Sequence, residues 1–261
     1  MASQIHPSAF ISPKAEIGDD VIIGPCAVIE DDVIIGDGCR IDAFASVKQY
    51  TRMGAGNHIH SYALVGGEPQ DLKYAGEESW LEMGDNNNVR EFATLHRGTQ
   101  GGGGLTKIGN GNLFMAYTHV AHDCHLGNEI VMSNGATLAG HVSVQDRAIL
   151  AGLSAVHQFV RIGAYAFVGG MSGISQDLPP YMLAVGNRAG VHGPNLVGLR
   201  RLQASRELIA ALKGAFRLIW HSDTPRKEAL EQLEYEFGTF PEILGFVEFI
   251  RSSERGILPA D

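Results

Sequence analysis

Five of the chain's 11 histidines, His119, His122, His125, His141 and His157, fall within 39 residues. An imidazole titrates near neutrality, so it can take a proton from a hydroxyl at neutral pH. Asp123 follows His122 directly, and a neighbouring carboxylate can fix the imidazole tautomer and stabilise the imidazolium. The same residue types also suit a zinc site, because neutral imidazoles are good ligands. General base and metal ligand are therefore both open. Which one fits depends on the side chains that the backbone brings together.

A repeat of six supplies that backbone. Stepping by six from Ile5 gives Ile11, Ile17, Ile23, Ile29, Ile35, Ile41, Val47, Met53, Ile59 and Val65, and the step resumes at Met83, Val89 and Leu95. It runs again from Ile108 to Ile174. The next residue is often glycine, and the fifth position is usually small or β-branched, as in Ala27, Val33 and Ala45. No amphipathic helix or hairpin keeps such a period. Three short parallel strands per coil do, with one aliphatic and one small side chain per hexad filling a narrow prism. Glycine is expected to help the chain turn its corners. Three hexads make an 18-residue coil, so residues 5–177 would form nearly ten coils about 45 Å long.

The coil arithmetic sorts the histidines. His122 and Asp123 take the third and fourth hexad positions and should point outward. Adding 18 sets Gly140 over His122 and His141 over Asp123, so two imidazoles, a carboxylate and a backbone N–H should converge on one outer face. His157 lies a coil further on, over Ala139, as a neighbour of the cluster. On a flat-sided coil, His119, His122 and His125 do not aim at one point, which weighs against a three-histidine zinc site.

The expected fold class is mainly β: a parallel β-helix over residues 1–190 and a helical domain over 191–261. Excursions are expected near 66–82, where Asp71 and Glu77 fall on would-be core positions, and near 98–107, where the register slips by one in a glycine-rich stretch. In the tail, Ser205 can cap a helix, Thr224-Pro225 can open a second with Pro225 at its first position, and Pro241 a third that ends near Gly256. These helices are expected to cover the open end of the solenoid.

Formal net charge is −9, which argues against a nucleic-acid binder. Residues 198–227, however, carry 7 basic and 2 acidic side chains, a basic segment in an acidic protein that calls for a partner. Three cysteines without metal-ligand spacing fit a reducing compartment. No apolar run reaches the ~18 residues of a membrane span. A cytoplasmic protein, not integral to a membrane, is expected.

The chain resembles the acyl carrier protein–dependent UDP-N-acetylglucosamine O-acyltransferases of lipid A biosynthesis. The resemblance rests on Gln70-Asp-Leu-Lys-Tyr-Ala-Gly-Glu77, His96-Arg-Gly-Thr99, His119-Val-Ala-His-Asp-Cys124, Asn134-Gly-Ala-Thr-Leu-Ala-Gly-His-Val142, Ala155-Val-His-Gln-Phe159 and Gly198-Leu-Arg-Arg201. It implies a left-handed helix and a homotrimer with active sites between adjacent subunits. It also implies a reaction that moves an (R)-3-hydroxyacyl chain from acyl carrier protein to the glucosamine 3-hydroxyl. No cofactor is implied beyond the carrier's phosphopantetheine, and no metal. By the same resemblance His122 is the general base, Asp123 its support and Gly140 N–H the oxyanion donor. Asp71, Lys73, His141, His157, Gln158, Asn195 and Arg201 would contact or position the sugar nucleotide.

Gly170 stands where the family limits acyl length by side-chain size, and a glycine there leaves room for a long chain. Arg188 replaces a familiar histidine and Val197 a familiar glutamate, departures that touch acyl-chain measurement and one nucleotide contact. Arg200, Arg201, Arg206, Lys213 and Arg217 offer a landing patch for an acidic carrier protein. A related N-acyltransferase would carry an N-terminal uridine-binding domain, for which hexads starting at Ile5 leave no expected room. A coenzyme A–dependent acetyltransferase is disfavoured by the long tail and the Gln70–Glu77 motif.

Overall fold

The structure is a computed structural model that describes residues 3–261. Most hexads contribute a two-residue strand, an outward residue followed by the inward aliphatic. Val28–Ile29, Ile34–Ile35 and Arg40–Ile41 form the three sides of one coil in turn. The strands stack into sheets of 11, 9 and 8, parallel throughout except for one closing hairpin. The chain is a left-handed parallel β-helix followed by short C-terminal helices.

The interior is the two columns expected from the hexads. Ile23, Ile29, Ile35 and Ile41 are fully buried, and so are Ala27, Val33, Cys39 and Ala45 at the fifth positions. Asn57, Asn87 and Asn112 break that rule on three successive coils, and they do so with their amides paired. The backbone N–H and side-chain amide of Asn87 donate to Asn57 Oδ1 (2.8 and 3.0 Å), and those of Asn112 donate to Asn87 Oδ1 (both 2.9 Å). Buried polar groups persist where each finds such a partner.

The glycines serve a different purpose from the one expected. The residues with positive φ at the corners are mostly not glycine: Asp123 (60°), His141 (62°) and Phe159 (64°) form one such column. The glycine that follows an inward aliphatic answers to space instead. A Cβ on Gly24 would lie 2.8 Å from the Ala43 backbone nitrogen of the next coil.

The two excursions leave from the same corner, between the 9-stranded and 8-stranded sheets. One joins Leu64–Gly67 to Trp80–Met83, the other Thr94–His96 to Leu105–Ile108. Ile41 pairs with Ile59 eighteen residues on, but Met53 pairs with Met83, thirty on, and Leu95 with Val120, twenty-five on. The first detour adds two whole hexads and keeps the phase. The second adds seven residues, which is the slip of one seen in the sequence.

Strands Met182–Gly186 and Ala189–Pro194 close the 11-stranded sheet as an antiparallel hairpin. The helices are α1 (Leu196–Arg201), α2 (Arg206–Trp220), α3 (Arg226–Phe237) and α4 (Pro241–Arg251). Ser205 caps α2, accepting from Leu208 N–H at 3.0 Å. Three details differ from expectation. The short α1 was not foreseen, Pro225 is the cap of α3 and not its first residue, and α4 stops at Arg251. Asp177 accepts from Arg161 Nε (2.9 Å) and Ser253 Oγ (2.8 Å), and Trp220 Nε1 donates to Leu258 O (2.8 Å). Leu178, Leu212, Phe246 and Leu258 thus continue the prism's core into the tail. Among the described residues no helix is long and apolar enough to cross a membrane.

Candidate active site

The corner that launches both excursions also carries His122. Parallel stacking sets the next coil on it as the arithmetic requires, with His141 N–H donating to His122 O at 3.0 Å. A Cβ on Gly140 would lie 2.6 Å from Cε1 and 2.8 Å from Nε2 of His122. Only glycine lets the imidazole lie there. Gly140 is itself buried, and among the described residues its N–H has no acceptor.

His122 Nδ1 lies 2.7 Å from Asp123 Oδ2. A carboxylate accepts only, so Nδ1 carries the proton in this bond and Nε2 keeps its lone pair, with no partner among the described residues. Asp123 is outward from the prism, as expected, yet it is not on the surface: its side chain is 1% exposed. The second excursion folds over it. Thr99 gives it two hydrogen bonds, N–H to Oδ1 and hydroxyl to Oδ2, both 2.7 Å. Thr106 Oγ1 accepts from its backbone N–H at 2.8 Å. Gly102 closes the cover, since a side chain there would collide with the carboxylate.

His141 is held edge-on to His122, ring centroids 5.2 Å apart, and lies flat against Phe159 at 4.4 Å. Burial depresses its pKa, with the Asp123 charge opposing. His119 Nδ1 lies 2.8 Å from Thr94 Oγ1 and packs edge-on against His96 at 5.0 Å. Burial, then the neighbouring His96 and His122, push His119 down to about 4. Burial depresses His96 as well. His125 is exposed on its strand.

His119, His122 and His125 do not bring ligand atoms together. At this corner the grouping close enough to hold an ion is His122, Asp123 and His141. In it Asp123 Oδ2 already accepts from both Thr99 and His122.

Asp71 and Lys73 sit on the first excursion and line a cleft of about 440 Å³ whose other walls include Glu77, Thr99, His141 and Phe159. Glu77 ties the two excursions together, accepting from Ala75 N–H (2.8 Å) and Gln100 N–H (3.4 Å). Hydrogen bonds from Ala75 and its own N–H hold its carboxyl low. Buried Arg97 pins the loop's base and tip, donating to Gly66 O (3.1 Å) and Tyr74 Oη (2.8 Å). His157 and Gln158 are exposed beside Phe159.

The remaining expected residues lie elsewhere. Asn195, Val197 and Arg201 line a second, apolar groove of about 820 Å³ with Ile149, Phe167 and Leu183. That groove shares no lining residue with the cleft. Asn195 Oδ1 caps α1 by accepting from Gly198 N–H, and its amide donates to Tyr165 O, both at 3.0 Å. Gly170 is exposed at a different corner, and a Cβ there would meet only Gly152 O, at 3.4 Å. Arg188 is exposed at the hairpin tip.

Thr99, Thr106, Arg97 and Phe159 went without a role in the sequence reading. Phe159 was within reach, because it stands eighteen residues after His141. The other three depend on how the excursions fold back, and hexad phase carries no information about that.

A left-handed parallel β-helix wound from hexads, with its strands stacked in three sheets, is the architecture of the hexapeptide-repeat proteins. Residues 177–258 match the family described as Udp N-acetylglucosamine O-acyltransferase, domain 2. Among solved structures, LpxA from Acinetobacter baumannii is 43% identical with a TM-score of 0.95, covering 97% of this chain and 99% of its own. LpxA of Bacteroides fragilis, a UDP-N-acetylglucosamine acyltransferase, is 42% identical (TM-score 0.95; 98% and 100% covered). The UDP-N-acetylglucosamine acyltransferase of Campylobacter jejuni is 39% identical (TM-score 0.93; 99% and 100% covered). The chain belongs to the LpxA family of UDP-N-acetylglucosamine acyltransferases, and it is an acyltransferase.

Proposed function

We propose that the protein transfers an (R)-3-hydroxyacyl chain from the phosphopantetheine thioester of acyl carrier protein to the 3-hydroxyl of UDP-N-acetylglucosamine, the first step of lipid A biosynthesis. The observation that carries this is the arrangement of His122, Asp123 and Gly140 at one corner. Asp123, fixed by Thr99, holds the imidazole with Nε2 free. Nε2 takes the proton as the sugar hydroxyl attacks the thioester carbonyl. The oxyanion that forms accepts from Gly140 N–H, and the imidazolium then returns its proton to the departing thiolate. Asp71, Lys73 and His141 line the cleft beside the base and hold the sugar nucleotide, with His157 and Gln158 at its edge.

Asn195 and Arg201 lie in a groove that does not join this cleft within one chain. The division supports a homotrimer in which the groove of one subunit faces the cleft of the next. Gly170, open to solvent, then leaves room for a long acyl chain. Arg200, Arg201, Arg206, Lys213 and Arg217 are exposed on α1 and α2 and receive the acidic carrier protein. A reaction that draws on this carrier fits a cytoplasmic enzyme.

The test is a mass-spectrometric transfer assay with UDP-N-acetylglucosamine and 3-hydroxyacyl carrier proteins of several chain lengths, with and without chelator. One acyl length should give a chelator-insensitive product. His122→Ala should lower the rate about 10²–10⁴-fold with the fold retained, and His125→Ala should leave it near wild type. No product with any carrier-borne donor, or the reverse order of the two variants, would overturn the reading.

A further inference from the structure

A second cluster of ligating side chains stands on the 11-stranded sheet and shares no residue with the His122 corner. Arg40–Ile41 pairs with His58–Ile59, so the residues just after each strand, Asp42 and His60, fall side by side. His58 Nε2 lies 2.8 Å from Asp42 Oδ2, and His60 Nδ1 lies 3.7 Å from the same oxygen. The two imidazoles stack with centroids 3.7 Å apart. One ligand atom from each of the three residues falls within 4.8 Å of the others. Glu91 Oε1, 3.8 Å from His60 Nδ1, is a fourth donor on the next coil. The mechanism above uses none of these groups.

We infer that Asp42, His58 and His60 form a binding site for a divalent transition-metal ion of the zinc class, with Glu91 or water completing the shell. Tetrahedral zinc with ligand bonds of about 2.0–2.1 Å sets its donor atoms about 3.3 Å apart, and the two spacings on Asp42 bracket that value. Two nitrogens and a carboxylate oxygen suit zinc rather than calcium or magnesium. The shell around the ligands fits the same reading. Asp42 Oδ1 accepts from Arg40 Nε at 2.8 Å, the kind of outer hydrogen bond that orients a ligating carboxylate. His60 Nε2 is buried with no hydrogen-bond partner, so Nδ1 is the ring nitrogen that faces Asp42 and Glu91. In the single chain His58, His60 and Asp42 keep side-chain exposures of 28, 17 and 19%.

The His122–Asp123–His141 grouping could bind the same ions, so the test separates the two. The full-length protein, stripped with chelator and dialysed, is titrated with Co²⁺ by its visible absorption and with Zn²⁺ in competition. Wild type, His122→Asn and the double variant His58→Asn/His60→Asn are compared, with far-UV circular dichroism as the check on folding. The site predicts about one tetrahedral cobalt per chain. It should persist in His122→Asn and weaken more than a hundredfold, roughly the scale set by disturbing a ligand shell, in the double variant. If the double variant misfolds, Asp42→Asn replaces it and should show the same loss. Acyl transfer should be unchanged in the double variant. Absence of cobalt absorption in wild type, equal binding by the double variant, or loss in His122→Asn alone would each overturn the proposal.

Discussion

Asp123 shows how much a single side chain here depends on its cover. It is outward on the coil, yet Thr99 and Gly102 bury it, and the buried carboxylate then fixes the tautomer of His122. Gly140 is the counterpart on the coil above, where any side chain would occupy the space of the imidazole. Gly140→Ala should therefore displace the His122 ring and reduce transfer about a hundredfold, with an unfolding transition close to wild type; a rate within twofold of wild type would refute the contact. His119 makes a prediction about acid. Its folded pKa of about 4 lies below its ordinary 6.5, so the unfolded chain takes up the proton first as pH falls. The stability that neutral His119 supports is complete above 6.5 and is lost between 6.5 and 4. Urea unfolding of His119→Asn at pH 7 and 4.5 should show a smaller acid loss than wild type, by about 1–2 kcal/mol.

At the scale of elements, the excursions are held by few groups, and Arg97 is the one with the widest reach. It joins the coil to the base and tip of the first loop, with its ring neighbours Tyr50 and Tyr74 at 5.8 and 5.7 Å. Arg97→Met leaves Gly66 O and Tyr74 without their donor, at a cost of roughly 2–3 kcal/mol. Because Asp71 and Lys73 ride on that loop, KM for the sugar nucleotide should rise more than kcat falls; a fall in kcat alone would mean that the loop does not position the substrate. The coil itself was legible from the sequence. A period of six fixed the three sides, and adding eighteen paired His122 with Gly140 and Asp123 with His141. The loops were not legible, since their shape depends on Thr99, Arg97 and Glu77 finding partners in three dimensions. The closing hairpin at Met182–Pro194 and the use of Asn195 as a helix cap were hidden for the same reason.

At the scale of the whole molecule, the separation of cleft and groove makes a claim about assembly. His122→Ala and Arg201→Ala chains, each inactive alone, should recover activity when unfolded and refolded together. A random trimer leaves about a quarter of its interfaces with both wild-type residues. Recovery near zero, with mixed trimers verified by mass, would place both residues in one chain's site. The phase-neutral first detour has a wider consequence. A solenoid that returns to the same corner after two extra repeats has not altered any pairing above or below, so chain can be added or exchanged there without retuning the core. Recognition and architecture are then free to diverge at different speeds. A transplanted loop of matching length could change which molecule the corner accepts while every coil keeps its sequence.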